Sequence, residues 1–164
     1  MIGVDLGMNV GSVMRIYKRQ EGIRVSEGIV LKFTHEKELS ENARLSEIAR
    51  RYGEQIHYLA TRYGDKRVAI EEPIFSWGRR NPKGFAKLIA LQTLVHYLCE
   101  DLAIIPVNNK TAKKFSGSGK NKKEAMILAY KKETGSYPGH STQYGKETLA
   151  DSFFIAKAGY FSLR

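Results

Sequence analysis

Three carboxylates interrupt apolar stretches of a chain that is otherwise rich in basic residues. Asp5 lies one step before the end of a short apolar run, Glu71 directly follows another, and Asp151 lies in a segment of Leu, Ala and Phe residues. A charge among apolar residues needs a partner, a proton or a metal ion. Oxygen ligands alone suit Mg²⁺ or Mn²⁺. If the two runs are strands and Asp151 lies on a helix, the three acids can converge, so they are candidate metal ligands.

A fourth acid, Glu147, precedes Asp151 by four residues. In a helix both carboxylates would lie on one face, about 5–6 Å apart at Cβ, so Glu147 is a candidate fourth ligand. The alternative is a plain acid near a helix N-terminus, where the helix dipole favours negative charge. Asp5 has a similar alternative as a turn residue, and Asp151 as a helix Asp with a local hydrogen bond.

The hydropathy pattern predicts the elements that must position these acids. Three strands in an antiparallel meander are followed by helices alternating with two further strands, with Ser40 as the N-cap of the first helix. The predicted strands are 2–6, 13–17, 23–33, 67–71 and 102–107, and the predicted helices are 41–63, 85–99, 123–132 and 146–161. This order indicates an α/β fold with a mixed five-stranded sheet flanked by helices. Without repeats or a linker, residues 1–164 are expected to form one domain.

The charge balance favours an anionic partner. Lys and Arg number 27 against 17 Asp and Glu, a net charge of +10 with a pI near 9.7. Nucleic acid leads the candidate partners, and a charge kept for solubility is the alternative. The single cysteine, Cys99, excludes an internal disulfide and a multi-cysteine zinc site. Without a long apolar run or a signal-peptide pattern, we expect a cytoplasmic protein with no membrane contact.

Two segments carry the predicted nucleic-acid contacts. In the segment that contains Lys110 to Lys123, glycines allow backbone N–H groups to approach phosphate, and lysines neutralise the phosphate charge. The alternative is that this segment is a solvated loop. In the segment that contains Phe75 and Trp77, the aromatic side chains could stack on unpaired bases, which contributes about 1–3 kcal/mol per base. The alternative is that they belong to the core. The candidates are Phe75, Trp77, Arg79 and Arg80 in the first segment and Lys110, Lys113, Lys114, Gly117, Gly119, Lys120, Lys122 and Lys123 in the second.

Taken in order, these motifs resemble those of the RuvC-type Holliday-junction resolvases of the RNase H-like nuclease superfamily. The sequence IGVDLG at 2–7 resembles the first acidic motif of that family, and VAIEE at 68–72 resembles the second. ADS at 150–152 resembles the third motif, and 113–119 with Lys123 resembles the Lys-rich, Gly-x-Gly segment. No single motif is specific, but their order and spacing agree across nearly the whole chain.

The third motif departs from the family pattern. The family has a second acid or a His three residues before the final Asp, where this chain has Thr148. Either Glu147 or His140 could complete the site, and the sequence does not decide between them. It also leaves open whether Lys113 or Lys114 matches the family lysine, and whether an aromatic at 75 or at 77 contacts a junction.

The resemblance implies an RNase H-like fold and a divalent-metal-dependent endodeoxyribonuclease that resolves four-way DNA junctions by symmetric phosphodiester hydrolysis. It implies Asp5, Glu71 and Asp151 as ligands of two Mg²⁺ or Mn²⁺ ions, with Glu147 as the fourth. Lys123 would lie near the scissile phosphate or position the DNA backbone. Two symmetric cuts also imply a homodimer, since isologous contacts supply two-fold symmetry.

Three other functions are compatible with parts of the sequence. Another RNase H-like nuclease could act on flaps, RNA–DNA hybrids or other branched DNA, and the motifs do not separate these substrates. A non-catalytic DNA-binding module would keep the basic surface without needing a metal. The motif GVDLG at 3–7 also resembles the phosphate loop of actin-like ATPases, although 164 residues hold only one of the two domains that such folds need.

Overall fold

Five strands form one mixed sheet in the order β3-β2-β1-β4-β5, so that β3 and β5 are its edges. The computed structural model describes residues 1–34, 39–73, 82–117 and 123–163, without the side chain of Lys123. The strands are β1 (Ile2–Asp5), β2 (Val10–Arg19), β3 (Gly22–Lys32), β4 (Arg67–Glu71) and β5 (Ala103–Val107). β2 pairs antiparallel with β1 and β3, whereas β4 pairs parallel with β1 and β5. The predicted mixed five-stranded sheet is therefore confirmed.

Five helices flank the sheet among the described residues. They are α1 (Glu41–Tyr63), α2 (Pro82–Leu98), α3 (Asn109–Phe115), α4 (Lys123–Thr134) and α5 (Gln143–Ser162). Ser40 caps α1 as predicted, because its side chain accepts a hydrogen bond from the N–H of Ala43. Gly64 ends the same helix in the left-handed conformation, with φ of 64°. None of the helices in the described part of the chain has the length and apolar character needed to cross a bilayer.

The helices cover the two faces of the sheet and create two hydrophobic cores. Ile2 and Val4 of β1 are fully buried in the core on the α1 and α2 side. Gly3 points to the other face, where α5 packs so closely that a Cβ on Gly3 would lie 2.1 Å from the carbonyl oxygen of Ser152. Strand alternation therefore assigns the odd-numbered positions of β1 to the α5 face.

The structure differs from the sequence prediction in two helices. α3 occupies part of the basic, glycine-containing segment in which the sequence predicts no helix, and the Asn108 side chain caps it by accepting from the N–H of Lys110. α5 begins at Gln143, three residues earlier than predicted, because Thr142 accepts from the N–H of Gly145. Side-chain capping decides both N-termini, and capping has a weaker sequence signal than an apolar face.

Candidate active site

Asp5 and Glu71 end two neighbouring parallel strands at the same edge of the sheet. Val4 of β1 is in register with Ile70 of β4, and each acid is the next residue of its strand. Adjacent strands lie about 4.8 Å apart, and residues in register point to the same face. That face is the one covered by α5, so Asp5 and Glu71 occupy the same face at the ends of neighbouring strands.

Asp151 reaches this edge from α5. The next residue, Ser152, accepts a hydrogen bond through its Oγ from the backbone N–H of Asp5, at 3.2 Å. This contact places the third acid one residue from a direct link to β1. Asp5 and Asp151 are each partly buried, as is Glu71. The backbone positions of the three acids are thus linked at this edge of the sheet, and the convergence of their carboxylates stays a prediction.

Glu147 lies one helical turn before Asp151 and is also half-buried. The side-chain amide of Gln143 approaches its Oε1 at 3.5 Å. Thr148, the residue at the divergent motif position, is 4 % exposed. Its carbonyl accepts from the hydroxyl of Ser12 at 2.7 Å, and its own hydroxyl donates to backbone carbonyls of α5. Thr148 therefore packs between helix and sheet, whereas Glu147 lies nearer the surface.

Glu71 has a neutral hydrogen-bond partner. Nδ2 of Asn109 donates to its Oε1. Burial raises the pKa of Glu71, while the Asn109 hydrogen bond and the charge of Lys113 act in the opposite direction. The contact follows from the topology, because Glu71 is in register with Val107 and Asn109 lies two residues further on. Sequence reasoning missed Asn109, since an Asn in a polar segment gives no signal of a partner.

The same electrostatic contact separates two lysines that the sequence leaves equivalent. Lys113 is half-buried and close enough to Glu71 to lower its pKa, whereas Lys114 is exposed. Both lie in the last turn of α3, where basic side chains favour the helix C-terminus. Lys113 is therefore the lysine of this pair that lies near the candidate active site.

A cavity of about 200 Å³ opens beside Glu71. It is lined by residues at and just after the ends of β1 and β4, by two residues of α2 and by the first residue of α3, namely Leu6, Glu71, Glu72, Pro73, Leu88, Gln92 and Asn109. Its lining includes both charged and apolar side chains, and it borders the end of β4. The edge with the acids is thus a concave region of the surface.

The loop between β1 and β2 is held against α1 by a buried tyrosine. The hydroxyl of Tyr52 accepts from the N–H of Gly7 at 2.9 Å and lies 3.3 Å from the carbonyl oxygen of Asp5. A Cβ on Gly11 would come within 1.8 Å of that hydroxyl. Burial raises the pKa of Tyr52, so the hydroxyl stays protonated. This side chain fixes the backbone directly after Asp5, and sequence reasoning assigned it only to the core.

His140 has a local structural role. Its Nδ1 accepts from the N–H of Thr142 at 3.1 Å and lies 3.0 Å from the hydroxyl of the same residue. The imidazole packs against Gly145, where a Cβ would lie 2.0 Å from Nδ1. These contacts stabilise the first turn of α5, the helix that carries Asp151.

The predicted DNA-binding residues are only partly described. Phe75, Trp77, Arg79, Arg80, Gly119, Lys120 and Lys122 lie outside the described residues, as does the side chain of Lys123. Lys110 and Gly117 are exposed, as is Lys114. These three positions follow β5 and therefore lie on the chain just beyond the edge with the acids.

The donor set suits a hard divalent cation, since carboxylate oxygens are its preferred ligands. The hydrogen-bond donor of Glu71 is a neutral amide, and Lys113 acts on it through its charge without a hydrogen bond between them among the described contacts. Within 1–34, 39–73, 82–117 and 123–163, no three His, Cys, Asp or Glu side chains are arranged to hold a metal ion. The ligand set of Asp5, Glu71, Glu147 and Asp151 stays a prediction.

Comparison with known proteins identifies the fold. No protein-family model and no curated protein sequence matches the chain. Thermus thermophilus RuvC in complex with a Holliday junction substrate is similar in structure, with a TM-score of 0.71, 19% identity and coverage of 99% of this chain and 93% of that chain. A second Thermus thermophilus RuvC structure gives a TM-score of 0.62 at 18% identity, covering 96% and 95%.

The yeast mitochondrial Holliday junction resolvase Ydc2 gives a TM-score of 0.63 at 14% identity, covering 97% of this chain and 76% of that chain. These likenesses extend over nearly all of the chain and include its mixed sheet. The resemblance seen in the motifs is therefore confirmed at the level of the fold, which is the fold of these RuvC and Ydc2 structures.

Proposed function

We propose that this protein is a divalent-metal-dependent endodeoxyribonuclease that resolves four-way DNA junctions. The observation that carries the proposal is the register of β1 and β4, which places Asp5 beside Glu71 on the face covered by α5. Ser152 then links Asp151 to the same strand end. Three acids on this fold, at this edge of the sheet, favour phosphoryl transfer over a purely DNA-binding role.

Each acid has a distinct position in the proposed site. Asp5 and Glu71 would hold cations from the sheet, and Asp151 from the helix, with Glu147 as the fourth ligand one turn away. When bound, two divalent ions supply an activated water and stabilise the leaving oxygen. Lys113 adds a fixed positive charge beside Glu71, and Lys123 is proposed to lie near the scissile phosphate.

The proposed substrate is branched DNA bound by a homodimer. Lys110 and Lys114 are exposed after β5 and would neutralise backbone phosphates. Two similar structures support this substrate, one a complex with a Holliday junction and the other a Holliday junction resolvase. A four-way junction has two-fold symmetry, so a symmetric dimer would place two sites for paired cuts.

A cleavage assay on defined DNA structures tests the proposal. Purified protein is incubated with a synthetic four-way junction and a linear duplex of matching sequence, first with Mg²⁺ and then with EDTA. We expect paired symmetric nicks on the junction alone, which EDTA abolishes. Asp151→Asn is expected to remove cleavage and keep junction binding, which would distinguish a lost active site from a lost fold.

The same assay separates the competing functions. Equal cutting of linear duplex would contradict junction selectivity, and preferential cutting of flaps or RNA–DNA hybrids would assign another nuclease of this fold. Tight junction binding without cutting in either Mg²⁺ or Mn²⁺ would indicate a non-catalytic module. Full activity of Asp5→Asn or Glu71→Gln would remove that residue from the site.

A further inference from the structure

A pair of buried hydroxyl groups joins the three elements that surround Asp5 and Asp151. Ser12 lies on β2 directly opposite Asp5, and Ser152 follows Asp151 on α5. Both serines are 0 % exposed, and their Oγ atoms are 2.6 Å apart. Polar groups buried this deeply oppose folding unless they are hydrogen-bonded. Their hydrogen bonds therefore decide how the helix can sit on the sheet.

These hydrogen bonds connect the backbone of Asp5 to one turn of α5. The Oγ of Ser152 accepts from the N–H of Asp5 at 3.2 Å and donates to the carbonyl of Ser12 at 3.0 Å. The hydroxyl of Ser12 donates to the carbonyl of Thr148 at 2.7 Å. The result is a closed network of strand, strand and helix, built from neutral groups only.

The packing beneath this network also restricts how α5 can lie on the sheet. A Cβ on Gly3 would lie 2.1 Å from the carbonyl oxygen of Ser152 and 2.6 Å from the Cβ of Ala156. The glycine thus sets how closely α5 approaches β1. The hydroxyl pair, which bonds along the strand, sets how far the helix can slide past Asp5.

We propose that Ser12 and Ser152 are positioning residues that fix the separation of the Asp5 and Asp151 carboxylates for metal binding. The catalytic consequence rests on the proposed nuclease function, whereas the effect on metal binding concerns the protein alone. Residues that orient metal ligands typically contribute about 10–100-fold to metal affinity or activity. The two serines are expected to act at this level because each hydrogen-bonds the backbone beside a candidate ligand.

The test compares Ser12→Ala, Ser152→Ala and the double variant with the wild-type protein. Mn²⁺ binding to the protein without DNA is measured by electron paramagnetic resonance, together with thermal unfolding. The Mg²⁺ concentration that gives half-maximal junction nicking is measured separately. Ser162→Ala is the matched control, because the Ser162 hydroxyl also donates to a carbonyl of α5, that of Gly159, at 3.0 Å.

We expect each single variant to bind Mn²⁺ about tenfold or more weakly and to require correspondingly more Mg²⁺. The double variant should be little weaker than either single variant, because both substitutions break one network. The control should behave as wild type. Ser12→Ala, on the sheet side of the same network, keeps the test in place should Ser152→Ala unfold, and it too is expected to weaken Mn²⁺ binding.

Each other outcome has a separate meaning. Serine variants that melt at a lower temperature but keep wild-type Mn²⁺ affinity and Mg²⁺ requirement would show a purely structural pair and overturn the inference. Wild-type protein that binds no Mn²⁺ would also overturn it. Weakened Mn²⁺ binding in the variants of a protein that cuts no DNA would support the positioning role and refute the nuclease function.

Discussion

The side-chain amide of Asn109 donates a hydrogen bond to the carboxylate of Glu71, across the ends of two parallel strands. Burial raises the pKa of this carboxylate, and the hydrogen bond from the amide lowers it in part. A neutral donor orients the acid without cancelling its charge. The pair therefore holds Glu71 in place through a neutral group, while the charge of Lys113 acts on the same carboxylate.

Removing the amide should shift the pH dependence of cleavage. Asn109→Ala eliminates a hydrogen bond that lowers the pKa of Glu71, so that pKa rises further. At a given acidic pH a smaller fraction of Glu71 is then ionised, and the low-pH limb of the rate profile moves to higher pH. Single-turnover rates between about pH 5 and 8, the range in which such a limb falls, measure this. Asn42→Ala, at an exposed position of α1, is the control, and an unmoved limb would contradict the assignment.

Glu71→Gln is expected to stabilise the metal-free protein while abolishing cleavage. The pKa of Glu71 in the folded protein is raised above its ordinary value of 4.5. The folded state therefore loses stability as the pH rises from 4.5 through this raised pKa, because the buried carboxyl then has to ionise. The neutral side-chain amide introduced by Glu71→Gln does not ionise, so this loss of stability does not occur. The melting temperature in EDTA should therefore rise near neutral pH and change little at pH 4. Glu72→Gln, on the exposed neighbour, should leave the melting temperature unchanged at both pH values.

The two lysines at the end of α3 should differ in what they affect. Lys114 is exposed, so Lys114→Ala should weaken junction binding and reduce the slope of log K against log salt by about 1. Lys113 lies beside Glu71, so Lys113→Ala should slow cleavage more than it weakens binding. Titrations at several salt concentrations, with parallel single-turnover assays, separate the two effects. Identical profiles for both variants would refute the distinction.

The hydroxyl of Tyr52 should matter for both stability and cleavage. Tyr52→Phe leaves the N–H of Gly7 without its partner and frees the backbone after Asp5. An unsatisfied buried donor costs about 1–3 kcal/mol, which denaturant unfolding can measure. Tyr63→Phe removes a hydroxyl bonded to Glu27 at 3.0 Å, away from the acids. Cleavage should fall for Tyr52→Phe and persist for this control; equal activity would exclude a role in holding Asp5.

The acids that sequence reasoning singled out were detectable because each interrupts an apolar pattern. Asp5 and Glu71 end strands that were predicted as short apolar runs, with boundaries correct almost to the residue. Their juxtaposition follows from the parallel register, a regular property of this sheet. The ligand set itself remains a prediction, because metal coordination depends on side-chain orientations that periodicity does not contain.

The supporting groups could not be predicted in the same way. Ser12 and Ser152 are separated by 140 residues, and each alone is an ordinary serine near a strand or in a helix. Asn109 becomes meaningful only once β5 is placed beside β4. Such contacts depend on how elements dock, and a single sequence carries no local signal of docking. The short helix α3 was missed for a related reason, since its seven residues bury only Ala112.

The edge position of β5 also limits how the sheet can associate. The N–H of Ala103 donates to the carbonyl of Lys66, just before β4, and the carbonyl of Val107 accepts from the N–H of Glu72, just after β4. The backbone N–H and C=O groups of the odd-numbered residues of β5 therefore point towards β4. The backbone groups of Ile104 and Pro106 therefore point to the open edge of the sheet, and proline has no N–H to donate there. A second strand could form only an interrupted ladder there, which protects this edge against aggregation by strand addition.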